Sequence, residues 1–166
     1  MVDLHVHTCY SLLDGMIKPE ELIEKIKEVP NTVVHVIAGV ISNQAMQKLA
    51  NHNLKLLILG YKVFRRGETS LKANTYHKLN EFKENLLQYF DKFRIISFDN
   101  LALKQLNVQS LVTKELWDTC FMGDDGQFTM FIDLVSKTYA LNSTTPCNNR
   151  KKIKNNIIDM FNDIRE

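Results

Sequence analysis

The chain has 166 residues, a usual single-domain length, with 45% hydrophobic and 24% charged residues, the balance of a globular protein with a sizeable core. Its formal charge of +2 does not by itself point to a polyanion, since a nucleic-acid reader needs a clustered basic face. Three widely spaced cysteines (Cys9, Cys120, Cys147) without a Cys-x-x-Cys pair argue against a disulfide framework or a structural zinc site. The apolar runs fall far short of the ~20 residues of a membrane span.

Val2 to Val6 alternates apolar and polar residues and predicts a strand. Tyr10 to Gly15 is a loop closed by the turn pair Asp14-Gly15. The stretch from Ile17 to Lys27 predicts a helix, with Pro19, Glu20 and Glu21 suited to its first turn and Leu22, Ile23 and Ile26 as its apolar stripe. Pro30 and Asn31 end that unit. Thr32 to Val40 is a β-branched run, expected as a strand buried on both faces. Ser42 caps a short helix through Leu49 or Ala50, Asn51-His52-Asn53 is a turn, and Leu54 to Phe64 is a third strand split or bent at Gly60. This strand–helix alternation implies a parallel α/β sheet with right-handed crossovers.

Beyond a polar turn at Arg65 to Thr69, Ala73 to Phe90 predicts an amphipathic helix with Tyr76, Leu79, Phe82, Leu86, Leu87 and Phe90 inward. Phe93 to Phe98 reads as a fourth strand and Asn100 to Leu106 as a short helix. Val112 to Cys120 reads as a further helix, Met122 to Gln127 as a loop, and Phe128 to Leu141 fits either period. Leu141 to Asn149 is a loop, and Lys151 to Arg165 predicts a terminal helix with Ile153, Ile157, Met160, Phe161 and Ile164 on one side. No composition shift marks a linker.

His5 and His7 share one face at the C-terminal end of the first strand, a geometry in which two imidazoles grip one divalent ion. Leu4-His5-Val6-His7-Thr8-Cys9-Tyr10-Ser11-Leu12-Leu13-Asp14-Gly15, followed by Ile17-Lys18 and Glu21-Leu22, resembles the first motif of PHP domains of the bacterial DNA polymerase III alpha type. The Tyr-Ser-Leu-Leu-Asp-Gly continuation is far more specific than the histidine pair. The resemblance covers residues 1–64 of a single domain spanning 1–166, with 65–166 divergent. It implies a distorted (β/α) barrel, reduced or incomplete relative to the seven-unit family fold. It also implies a metal centre that hydrolyses phosphoesters in active members, with His5 and His7 matching the first two ligands and Asp14 the acidic one.

Two further family motifs are altered. Thr-Asp-His-Gly at the end of the second strand falls on Ile37-Ala38-Gly39-Val40, so Ala38 and Gly39 stand at the Asp and His ligand positions. Gly-Cys-Glu-Val at the end of the third strand reads Gly60-Tyr61-Lys62-Val63, so Lys62 stands where a glutamate bridges the ions. An ammonium offers no lone pair and repels the cation a carboxylate would hold. Lys62 is either a phosphate contact or a solvated strand-end lysine.

The remaining histidines offer no completion: His35 reads as a packed core residue, and His52 and His77 as solvent-facing. Asp99 suits either a barrel rim or a helix N-cap. Asp124-Asp125-Gly126 lacks calcium-loop spacing and reads as a turn. Arg150-Lys151-Lys152 with Lys154 forms a basic cluster at a helix start, by default a solvated face. Cys9 has no evident activating base.

Two functions are expected from these residues. The first is a degenerate, non-catalytic PHP-like module that binds a replication protein or DNA, as some family members dock a proofreading exonuclease after losing ligands. The second is a metal-dependent phosphoesterase with one ion, manganese or zinc, held by His5, His7 and Asp14. The first is preferred, with no cofactor and no membrane partner, in the cytoplasm. The size and divergence suit a phage or mobile element, or a fragment of a larger polymerase.

Overall fold

The computed structural model describes residues 18–29, 31–63, 68 and 74–165. The first predicted strand, the Tyr10–Gly15 loop and the turn at Arg65 lie largely or wholly outside these residues, and so do His5, His7, Cys9 and Asp14. The protein is α/β, and it divides into two compact units, Met1–Thr113 and Lys114–Glu166.

The first unit alternates helices and parallel strands: α1 (Pro19–Glu28), β1 (Val33–Ile37), α2 (Asn43–Leu49), β2 (Lys55–Leu59), α3 (Thr75–Asn85), β3 (Ile95–Phe98) and α4 (Asn100–Leu106). Local chemistry sets several ends. Ser42 accepts a hydrogen bond from Ala45 N at 3.2 Å and caps α2. Asn51 and Asn53 take the left-handed φ of the turn into β2. Lys48 of α2 pairs with Glu20 of α1 at 2.7 Å, which holds the Glu20 carboxyl below its ordinary pKa.

Strand order is β1-β2-β3, all parallel, with Val34, Leu56 and Ile96 in one register row and His35, Leu57 and Ser97 in the next. Sequential order with right-handed crossovers puts every crossing helix on the same face. Val34, Val36, Leu56 and Ile58 accordingly sit in one core with Met46, Leu49, Phe82, Leu86, Tyr89 and Leu106. The other face carries Val33, His35, Ile95 and Ser97, all exposed. This corrects two expectations. The β-branched run is buried on one face only, and His35 is a surface residue rather than a packed one. Apolar residues stand on both sides of His35 and on both parities of the run, so no clear alternation reports the one-sided cover. Among the described residues the three strands form one open sheet that does not close into a barrel.

The amphipathic helix also differs in phase. Thr75, Leu79, Phe82, Leu86 and Tyr89 form the inward stripe, at alternating spacings of four and three. Tyr76 lies one position off it and is 55% exposed. At Leu86 the backbone tightens into a 3-10 turn (Leu86–Tyr89), which turns Leu87 outward and Tyr89 inward.

The second unit holds α5 (Lys114–Cys120), a three-stranded antiparallel sheet of β4 (Phe131–Asp133), β5 (Thr138–Ala140) and β6 (Lys151–Lys152), and α6 (Ile157–Arg165). The ambiguous Phe128–Leu141 stretch is therefore a β-hairpin. The expected helix from Lys151 begins only at Ile157. Lys151 and Lys152 instead pair with Tyr139 and Thr138, where cross-strand bonding outweighs lysine's helix propensity. Asn156 marks the true start, its side chain accepting from Ile158 N at 2.9 Å. Trp117 of α5 and Phe121 just beyond its end stack with ring centroids 4.6 Å apart.

Candidate functional site

The C-terminal edge of a parallel sheet is where side chains and strand-end loops converge. In the first unit three strand ends meet there. β1 runs into Ala38, whose N–H donates to Leu59 O at 2.9 Å, and then turns at Gly39. β2 runs into Gly60-Tyr61-Lys62, and β3 into Asp99. Ala38, Gly39, Lys62 and Asp99 thus stand at or just beyond the strand ends of this edge.

Their chemistry is that of a packed joint. Ala38 is fully buried and brings no donor. Gly39 has φ +79°, and a Cβ there would lie 3.2 Å from Leu79 Cβ and 3.3 Å from Thr75 O. A side chain at this position would therefore be strained in backbone and crowded by α3 at once. Asp99 is the N-cap of α4: one carboxylate oxygen accepts from Ala102 N at 2.7 Å and from Gly60 N at 2.9 Å. Of its two sequence readings, the helix cap holds. Gly60 is needed because α4 approaches so closely that a Cβ would meet Leu101 Cγ at 2.5 Å and Ala102 N at 2.7 Å. Next to it, Gln105 extends the sheet with its side-chain amide, accepting from Tyr61 N at 2.8 Å and donating to Tyr61 O at 2.9 Å. Burial at this clamp raises the Tyr61 pKa. The clamp was not anticipated: a glutamine one turn inside a short helix carries no sequence signal for it.

Lys62 is exposed beyond the clamp. Among the described residues no three His, Cys, Asp or Glu side chains come together to hold a metal ion. These strand-end residues do not fit a metal cluster: Ala38 and Gly39 have no side-chain donors, Lys62 carries positive charge, and one Asp99 oxygen is engaged by two backbone N–H groups. His52 and His77 are exposed, as expected.

In the second unit Asp124-Asp125-Gly126 is a turn, with Gly126 at φ +87°, Gln127 N donating to Asp124 O at 3.1 Å, and Asn142 Nδ2 donating to Asp125 at 3.1 Å. The basic cluster lies on β6 and its flanks rather than at a helix start. Arg150, its side chain 6% exposed, pairs with Asp133 at 3.5 Å, donates to Thr145 O at 3.0 Å, and lies 4.8 Å over the Phe131 ring. Asp163 gathers Lys154 at 2.5 Å, Lys151 at 3.9 Å and the Tyr139 hydroxyl at 2.5 Å. The hydrogen bonds from Lys154 and Tyr139 hold the Asp163 carboxyl below its ordinary pKa. Burial, then the bond to Asp163, pushes the Tyr139 phenol up to about 12. Most of the cluster is thus committed to internal carboxylates.

No protein-family model, no curated protein and no solved structure significantly matches this chain.

Proposed function

We propose that this chain is a degenerate PHP-like module related to DNA polymerase III alpha, without hydrolytic activity, which acts by binding a replication protein or DNA. The N-terminal motif resemblance supplies the relationship. The strand order supports it, because sequential parallel strands with helices on one face match a segment of a (β/α) barrel, whereas a doubly wound sheet reverses order and covers both faces. On this reading the protein keeps a reduced, incomplete form of the family barrel.

The observation that carries the loss of catalysis is the packing at Gly39. There the family's histidine has neither the backbone angle nor the room it needs, and Ala38 and Lys62 stand at the two acidic positions. His5, His7 and Asp14 alone are too few donors for a multi-ion centre.

The test is metal analysis of protein purified without chelator, with a phosphodiester hydrolysis assay in added manganese. The expected result is less than one tightly bound ion per chain and no turnover above the His7→Ala variant. Two or more bound ions, or turnover abolished by His7→Ala, overturns the proposal in favour of a phosphoesterase using His5, His7 and Asp14.

A further inference from the structure

The β4–β5 hairpin of the second unit ends in two adjacent aliphatic side chains held out in solvent, Leu134 (78% exposed) and Val135 (96%). Turn positions favour Gly, Asn, Asp or Ser, so two aliphatics here are unusual turn chemistry. The tip is also braced. Asp133 Oδ1 accepts from Val135 N at 3.0 Å and Ser136 N at 3.2 Å, and the Ser136 and Thr138 hydroxyls bond at 2.7 Å. Arg150 grips the other side of Asp133, and Ile153 N donates to Lys137 O at 3.0 Å, tying the base of the tip to the third strand.

Two lysines stand just behind the tip. Lys137 follows Val135 by two residues, and Lys152 lies opposite Thr138 on the neighbouring strand. Both are exposed, and neither makes an ion pair among the described residues, whereas Lys151 and Lys154 are taken by Asp163. An apolar point is therefore backed by two ammonium groups.

From this arrangement we infer that the Leu134–Val135 tip docks into the surface of an anionic lipid bilayer, the aliphatic pair entering the interface and Lys137 and Lys152 meeting the headgroups. The placement fits. Lys137, at φ +52°, closes the four-residue turn that presents the pair, and Lys152 lies beside it on the third strand, so both ammonium groups flank the aliphatic point at its base, where headgroups meet an interfacial apolar group. Long lysine stems let both reach the headgroups. No helix among the described residues is long and apolar enough to cross a membrane, and the tip does not cross one.

A nucleic-acid duplex fits less well. An apolar wedge between bases must unstack them, which requires a broad basic surface to compensate. Residues 114–166 hold seven basic against eight acidic side chains, a net charge of −1. A fluid interface needs no unstacking, and Asp133, the acidic residue adjoining the tip, is already paired with Arg150. This inference goes beyond the binding module proposed above and uses none of the N-terminal residues, so either can fail without the other.

The experiment is co-sedimentation of the full chain with phosphatidylcholine vesicles that contain or lack phosphatidylserine, at low and physiological salt, with a random-sequence duplex DNA as competitor. Binding is expected only with phosphatidylserine, and it weakens with salt. Lys137→Gln/Lys152→Gln should weaken it about fivefold per lysine. Leu134→Ser/Val135→Ser should weaken it roughly tenfold or more. Circular dichroism melts of both variants should match the parent, since neither pair is buried. The proposal is overturned if phosphatidylserine vesicles do not bind at low salt. It is equally overturned if Leu134→Ser/Val135→Ser binds as tightly as the parent, or if duplex DNA displaces the vesicles through this same tip.

Discussion

The two units hold themselves together by different means. The first is built around one continuous apolar core, in which alternate residues of β1 and β2 meet the inward stripes of four helices. The second has Tyr139, Ala140 and Met160 as its buried apolar residues among those described, while Leu116, Met122, Phe128, Leu134, Val135, Ile157 and Ile158 are exposed. What organises it is polar: Asp163 with Tyr139, Lys151 and Lys154, Asp133 with Arg150, and Arg165 donating to Gly126 O and Gln127 O. A small unit buries too little apolar surface to rely on packing alone, and charged hydrogen-bond networks then fix its arrangement. The lesson is that the first unit should answer to changes of volume and the second to changes of charge.

The largest effect belongs to the first unit's core. Leu56 is fully buried in the central strand, and Leu56→Ala should cost about 2–5 kcal/mol, read from urea unfolding by circular dichroism. Equal unfolding midpoints for parent and variant would break the comparison.

Gly60→Ala should cost about 1–3 kcal/mol, because the added methyl meets not only the Leu101 side chain but also the α4 backbone at Ala102 N, which cannot yield by a rotamer change. Asp99→Ala removes the helix cap and the tie to Gly60 N together, and about 1–2 kcal/mol is expected. Thermal melts rank the two variants. If Asp99→Ala also conferred or abolished metal binding, the joint described here would be a ligand site after all.

For the second unit the lever is pH. The Asp163 and Asp133 carboxyls have folded pKa values below their unfolded ones, Asp133 chiefly through hydrogen bonds from Ser136. Their contribution is therefore complete above the ordinary carboxylate pKa and is lost as pH falls through it to the lower folded values. Near-UV circular dichroism at Trp117, the chain's single tryptophan, should change with acid before the far-UV helix signal of the first unit does. At the alkaline end the sign reverses. The Tyr139 phenol is held neutral up to about 12, so stability is full below the ordinary tyrosine pKa near 10 and declines as pH rises from there to about 12. Asp163→Asn should move that last tyrosine titration, followed by ultraviolet absorbance, towards 10. No movement would mean that burial alone sets it.

The smallest effect expected is on stability at the hairpin tip. Val135→Ser should shift the melting temperature almost not at all, within about 0.5 kcal/mol, because its side chain touches little. A clear loss would mean the tip is packed rather than presented.

Much of the first unit is legible in its residues. Pro19 and the acidic first turn, Ser42 as cap, the Asn51–Asn53 turn and the short helix at Asn100 act through neighbours a few positions away, so local chemistry decides them. That Ala38, Gly39 and Lys62 bring no metal-ligating donor to the sheet edge is equally plain from their residue types. Tertiary structure decided what depends on distant partners. It set which face of β1 is covered, whether Tyr76 or Tyr89 points inward, and that Asp99 serves Gly60 across the sheet. It also turned Phe128–Leu141 into a hairpin and committed most of a basic cluster to two half-buried carboxylates. Periodicity reports the spacing of apolar groups along the chain, but the atoms that will cover them, or accept their hydrogen bonds, come from elsewhere in it.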